Sequence, residues 1–445
     1  VKTLLLNGVL FDKSQEFSGE KKDILIENGI IKEISSSIDL NKSEYFSKYD
    51  DVKIFDLHNL FVFPGFIDLH THFRYPGQTD KEDLQTGSFA ALNGGYTTCI
   101  AMPNTNPAIQ NEEQFKEIEI LSSYIDIIPA SSITKNREGK ELVDFERNVK
   151  VGFKFFTDDG SEVKDPKLLF EALNLAKKYN CIIMEHSISN DFFDSGVINY
   201  GQISKMLKLE GIPDVAETSI VFRDIELNRL ANSRLHLTHL STAKSIDLVL
   251  DAKKEGLNIT FDVTPHHILL NEQFCKTKDP VFKVSPPLRS VENQNKLREY
   301  FIDGKIDIIV TDHAPHLEKE KHIDINLAPF GITGLEVSFL LLYNEFVRNN
   351  LVALTDLVSL FASNPAKAFN IEKKGKIAKN YIGDLTIFNP EDYVEINRSF
   401  FYSKAKYSPY MGRKLYGRIT QVFKNGSVVF EYNPTGNKFF RKTII

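Results

Sequence analysis

A chain of 445 residues, 42% hydrophobic and 26% charged, is long enough to bury one large domain and a smaller one. Its net charge of −6 argues against a nucleic-acid partner, and no apolar run reaches the ~18 residues that cross a bilayer, so no membrane partner is expected either. Cys99, Cys181 and Cys275 lie far apart and form no disulfide framework, while Leu4-Leu5-Leu6 breaks at Asn7-Gly8, too soon for a secretory core, so a cytoplasmic location is expected.

Leu4 to Phe11 and Asp23 to Ile34 predict short strands, with a tight hairpin turn at Asn28-Gly29. Ser36 to Asp51 is polar and is expected as a loop. From Phe63 onward, apolar strand-like runs alternate with helical patterns. Strands are expected near 65–69, 97–102, 125–130, 151–156, 181–185, 235–238, 257–263 and 306–311, with helices such as Pro166 to Tyr179 and Thr242 to Glu255 between them. Eight βα units in about 310 residues predict an α/β fold of the (β/α)8 TIM-barrel type. The absence of a Gly-x-Gly-x-x-Gly or Walker loop argues against an open doubly wound sheet. Gly383 to Phe388 and Arg418 to Tyr432, with a turn at Asn425-Gly426, return to strand patterns. Each β-rich end is too small to bury a core alone. The two are therefore expected to build one small β-sandwich domain from residues 1–62 and 376–445, beside a barrel spanning 63–375.

The first barrel strand ends in Asp68-Leu-His70-Thr-His72-Phe-Arg74. Residues two apart in a strand share a face, so Asp68, His70, His72 and Arg74 point the same way. Two imidazoles on one face can grip a metal ion, and further ligand-type residues recur at later strand ends, where barrel active sites lie. Asn104 follows the second strand in Met102-Pro-Asn104-Thr-Asn-Pro. Lys154 and Asp159 sit in Gly152-Phe-Lys154-Phe-Phe-Thr-Asp158-Asp159-Gly. His186 ends the fifth strand, His239 the sixth, His266 and His267 follow the seventh, and Asp312 ends the eighth in Thr311-Asp312-His313-Ala-Pro-His316.

Imidazole and carboxylate donors without thiolates suit Zn²⁺, with Mn²⁺, Fe²⁺ or Co²⁺ as alternatives. Four histidines plus Asp312 exceed what one catalytic zinc needs, so two Zn²⁺ ions, ~3.5–4 Å apart, are expected per chain. Such a centre activates water and polarises a carbonyl. Asp312 would take the proton and pass it to a leaving nitrogen, which predicts hydrolysis of an amide-like bond. Arg74 presents a planar fork that matches a carboxylate.

From about Pro64 to Gly383, with β-segments at both ends, the chain resembles the dihydroorotases of the amidohydrolase superfamily. The resemblance rests on Asp-Leu-His-Thr-His-Phe-Arg, Gly94-Gly-Tyr-Thr-Thr98, Met-Pro-Asn-Thr-Asn-Pro, Thr-Asp-Asp-Gly, Thr-Asp-His-Ala-Pro-His and Leu327-Ala-Pro-Phe-Gly331. It implies that His70 and His72 bind the more buried metal with Asp312, and that His186 and His239 bind the second. It implies substrate contacts from His72, Phe73, Arg74, Asn104, Ser285 and His316, with Phe330 and Gly331 touching the ring by backbone. The implied reaction is the reversible interconversion of dihydroorotate and N-carbamoyl-L-aspartate in pyrimidine synthesis. The partner is then a small-molecule substrate, and a homodimer is the expected assembly.

Two positions depart from the bacterial members. Those bridge their metals with the second Asp of Thr-Asp-Asp-Gly, here Asp159, and carry an apolar residue where this chain has Lys154. Gly-Phe-Lys154-Phe-Phe is closer to allantoinases and hydantoinases, whose carboxylated lysine bridges both ions. Carboxylation would also remove the cost of burying a charged amine, so a carboxylated Lys154 is the favoured bridge and Asp159 the alternative. Ser285 stands where an Asn is usual and also occurs in allantoinases and hydantoinases, which keeps such a cyclic amidase as the alternative function. Asp68 is expected to orient a ligand histidine, and Glu318 to His322 to form a solvated loop near His316.

Overall fold

The computed structural model describes residues 2–39, 52–432 and 439–440. Eight parallel strands surround an apolar interior: β1 (Phe66–Thr71), β2 (Tyr96–Ala101), β3 (Asp126–Pro129), β4 (Phe155–Phe156), β5 (Ile182–Glu185), β6 (Leu235–Leu237), β7 (Ile259–Val263) and β8 (Ile308–Ile309). Ladders join β1 to β3 and β4 to β8. Parallel bridges from Ser131 to Phe156 and from Thr71 to His313 close the ring. All eight lie within or against the runs expected from sequence. The fourth is shorter, because Phe145–Val151 is a helix that ends at Gly152, where φ is +132°.

The strands read as unbroken apolar runs because both faces are buried. Ile67, Leu69, Ile100, Met102, Phe155, Met184 and Val310 fill the barrel interior. The opposite faces, Phe66 and Phe156 among them, join the larger core beneath the surrounding helices. Pro166–Tyr179 shows why such helices form. Asp165 accepts the N–H of Lys167, Pro166 opens the first turn, and Leu169, Ala172, Leu173 and Ala176 bury one stripe. Burial of each leucine contributes about 1.5–3 kcal/mol. Ala243–Lys254 starts at Thr242, which accepts the N–H of Ser245.

Both ends of the chain build the second domain, as one nine-stranded sheet curled around Leu5, Ile24, Ile26, Val62, Leu385, Ile387 and Phe423. Its central seam pairs Phe61–Pro64 with Leu385–Glu395. The strand Phe61–Pro64 thus carries the sheet two residues past the expected boundary at 62. Asn28-Gly29 and Asn425-Gly426 turn with positive φ at both residues, the geometry that an Asn-Gly pair tolerates. From residue 40, the loop expected up to Asp51 lies outside the described residues. Among the described residues no helix is long and apolar enough to cross a membrane.

Candidate metal centre

The carboxyl ends of the strands bring six ligand-type side chains to one buried point. Asp159 lies at its middle. Its Oδ1 is 3.1 Å from His70 Nε2, 3.3 Å from His186 Nδ1 and 3.6 Å from His239 Nε2. Its Oδ2 is 3.6 Å from His72 Nε2. Asp312 Oδ1 closes the other side, 3.1 Å from His72 Nε2 and 3.6 Å from His70 Nε2. The donors form two groups with Asp159 in common: His70, His72 and Asp159, and Asp159, His186 and His239. His239 and Asp312 both take the left-handed backbone region, at φ +40° and +47°, as does Arg74 at +56°. Such conformations cost about 1–3 kcal/mol and gather at functional sites.

The donor set fits a metal. His70 Nδ1 and Nε2, Asp159 Oδ1 and His239 Nδ1 are buried without a hydrogen-bond partner. Orphaned polar atoms cost about 1–3 kcal/mol each unless a ligand satisfies them. His186 Nδ1 and His239 Nε2 stand 3.0 Å apart, both near one carboxylate oxygen. Electrostatics agree. Burial opposes a charge on His70, yet the Asp159 and Asp312 carboxylates push its pKa up to about 10. Burial raises both carboxyls, but the surrounding histidines hold them below the usual carboxylate range. The carboxylates therefore favour positive charge at this point. Burial lowers His72 and His186, favouring the neutral rings that ligate metals.

Lys154 is not part of this group; its side chain is exposed. Phe155 points into the barrel and Phe156 toward the helices, so Lys154 faces outward at the amino end of β4. This register places Lys154 away from the donors, against the favoured reading of a carboxylated Lys154 bridge. Asp159, five residues further on at the carboxyl end, stands between the two histidine groups instead.

A cavity of about 220 Å³ opens beside the centre and is lined by Arg74, Asn104, Ser285, His316, Phe330 and Gly331, among others. Arg74 Nε donates to the Pro315 carbonyl at 3.0 Å, and Nη2 is 3.2 Å from His316 Nε2. With the Lys81 ammonium 3.3 Å from Nδ1 and the Phe330 carbonyl 2.8 Å from Nε2, His316 carries its hydrogen on Nε2, and the Arg74 Nη2 contact to that nitrogen is not a hydrogen bond. Burial, then the Arg74 and Lys81 cations, lower His316 to about 2, so it is neutral. Gly331 has φ +124°, and a Cβ there would meet Ala314 Cβ at 2.7 Å, so only glycine lets this segment close on the cavity wall.

Phe73 stands apart from the cavity residues. It is absent from the cavity wall, and its ring packs in the main core against the helix Leu84–Asn93, where a Cβ on Gly87 would touch it. The strand ends at Thr71 and Arg74 takes φ +56°, so the chain turns here and sends Phe73 into the core while Arg74 enters the cavity. Asp68 orients no imidazole. Its carboxylate accepts the backbone N–H of His70 at 3.1 Å. His267 donates from Nε2 to the Pro286 carbonyl at 2.9 Å, steadying the segment that carries Ser285, and neither it nor buried His266 belongs to the donor groups. Glu318–Lys321 forms a short helix rather than an open loop, with Lys321 buried.

Three supporting residues were not singled out from sequence. Asp262 of β7 accepts the backbone N–H of His239 at 2.5 Å and bonds His236 Nε2 at 2.7 Å. Arg137 donates to the Asp159 carbonyl at 2.5 Å. Asn190 lines the cavity. An aspartate in the apolar run Ile259–Val263 was a usable signal for the first, since a buried charge needs partners. The other two sit in single 3-10 turns, Lys135–Arg137 and Asn190–Phe192, with no pattern to mark them.

The model of the amidohydrolase family matches residues 61–429, and a dihydroorotase of Carboxydothermus hydrogenoformans is 40% identical over 418 residues, 92% of this chain and 94% of its own length. The chain belongs to the dihydroorotases of the amidohydrolase family. A dihydroorotase of Staphylococcus aureus is 39% identical over 93% of this chain and 96% of its own. Among solved structures, an L-hydantoinase (dihydropyrimidinase) from Arthrobacter aurescens matches this amidohydrolase with a TM-score of 0.86, over 99% of this chain and 98% of its own, at 23% identity. A D-hydantoinase from Thermus sp. gives 0.80, over 96% and 95%. At such identity these structures speak for the fold alone, a TIM barrel with a β-sandwich domain.

Proposed function

We propose that this metal-dependent cyclic amidohydrolase is a dihydroorotase, interconverting (S)-dihydroorotate and N-carbamoyl-L-aspartate in de novo pyrimidine biosynthesis. The observation that carries the reading is the placement of Arg74 and a doubled donor set on one 220 Å³ cavity. One site offers a carboxylate fork and the other the means to open or close a cyclic amide.

Two zinc ions are proposed, one held by His70 and His72 with Asp312, the other by His186 and His239, with Asp159 shared. Bound zinc acidifies water and polarises the scissile carbonyl. Asp312, held ionised beside His70 and His72, takes the proton in hydrolysis and returns it to the ring nitrogen; the reverse direction uses the same group. Arg74, anchored through Nε on the Pro315 carbonyl, holds the substrate carboxylate. Ser285 and the backbone of Phe330 and Gly331 bound the ring.

An allantoinase or hydantoinase would have no carboxylate to offer Arg74. Three buried, unpaired cysteines support a cytoplasmic setting. The homodimer is retained as a proposal, to be checked by light scattering. Zinc-replete protein should turn over dihydroorotate and leave allantoin and hydantoin untouched; the opposite preference would refute the assignment.

A further inference from the structure

Resting on that metal-centre reading, we propose that Asn104 is a positioning residue of the centre, a task separate from touching substrate. Its amide fixes the tautomer of His72 and the orientation of Asp159 together. Nδ2 lies 3.1 Å from Asp159 Oδ2, and Oδ1 lies 2.8 Å from His72 Nδ1. The donor inventory decides how these contacts run. A carboxylate oxygen only accepts, so the NH2 group must face Asp159 and the amide oxygen must face His72. His72 then carries its hydrogen on Nδ1. Its Nε2 lone pair points toward Asp159 and Asp312, at 3.6 and 3.1 Å, where a metal ligand must present it.

The same bond occupies Asp159 Oδ2 and leaves Oδ1, otherwise unpartnered, facing His70, His186 and His239. No ladder joins β1, which carries His72 just past its end, to β4, which leads to Asp159. Asn104, rising after β2, spans that gap with one rigid planar group. The NH2 group keeps a second hydrogen, and Asn104 also lines the cavity, so contact with substrate and alignment of the ligands are compatible.

Zinc binding separates the two tasks. Apo-forms of the parent, Asn104→Ala, Asn104→Leu and Arg74→Lys are titrated with zinc against a competing chelator, and the cobalt-substituted forms are compared by absorption. The Asn104 variants should bind zinc at least about tenfold more weakly and shift the cobalt bands, the size usual when a ligand loses its orienting partner. Arg74→Lys should keep parental zinc affinity. Asn104→Gln covers the case in which the smaller variants melt early. One methylene longer, it cannot meet both partners at once and should also lose zinc affinity. Variants with parental zinc affinity and cobalt spectrum, raised only in KM, would overturn the proposal. Because zinc binding is read without turnover, a parent inactive on dihydroorotate would remove the substrate assignment and leave this inference standing.

Discussion

Thr311 donates its hydroxyl to Asp68 Oδ2 at 2.5 Å and its backbone N–H to Asp68 Oδ1 at 3.3 Å, across 243 residues of sequence. The pair ties the first barrel strand to the last directly beneath the centre. His70 and His72 follow Asp68 on its face, and Asp312 follows Thr311. Groups from opposite ends of the barrel sequence therefore share one small volume. Burial leaves the Asp68 carboxyl raised to about 7 even though the Thr311 and His70 bonds pull it down.

Asp312 is expected to serve as the acid–base group. Asp312→Asn should leave the barrel folded and lower turnover by roughly 10²–10⁴-fold, the range for a lost general base. Steady-state rates with zinc content measured on the same sample check this. A near-parental rate with zinc fully bound would assign the proton to another residue.

The bridge can be tested by ranking two variants. Lys154 is exposed, so Lys154→Ala should keep zinc content and turnover within about twofold, and stability within about 0.5 kcal/mol. Asp159→Ala removes the carboxylate common to both donor groups and should lose at least one zinc and most activity. The reverse ranking would restore the lysine.

Arg74→Lys keeps the positive charge and loses the fork. It should raise KM for dihydroorotate and for N-carbamoyl-aspartate about tenfold or more, because the carboxylate is present in both. Unchanged KM in both directions would dismiss the carboxylate role.

Lys321 supplies a pH signature. Burial, then the Lys283 cation, lower its pKa from 10.5 to about 7, and its Nζ donates to the Pro329 carbonyl at 2.9 Å. Between about pH 7 and 10.5 the unfolded chain binds more protons here than the folded one. Its contribution to stability therefore rises with pH over that window and is lost as pH falls through 7. Lys321→Met should flatten the melting temperature between pH 7 and 10 relative to the parent. An identical slope would show that Lys321 does not titrate in the fold.

Much of the site was legible because its ligands end strands. Apolar runs mark where the strands lie, and barrel geometry sends every strand end to one face. His70, His72, His186, His239 and Asp312 could be gathered without knowing a single distance. The ring of Phe73 packs in the core, because motif membership says nothing about which way a side chain turns. Arg137 acts through a backbone bond that leaves no trace in residue spacing.

The sequence by itself determined the α/β barrel, the sheet drawn from both termini, the Asn-Gly turns and the residue types that meet at the centre. Those follow from local periodicity and turn chemistry, which act over a few residues. The tertiary structure alone placed Lys154 outside the donor groups and Asp159 within both, because a one-residue difference in register sends a side chain to the opposite face of a strand. Phe155 occupies the inward position of β4, so Lys154 emerges into solvent and the carboxylate beyond the strand end enters the site. It also decided the place of Asn104, whose two partners lie 32 and 55 residues away and meet only when the ring closes.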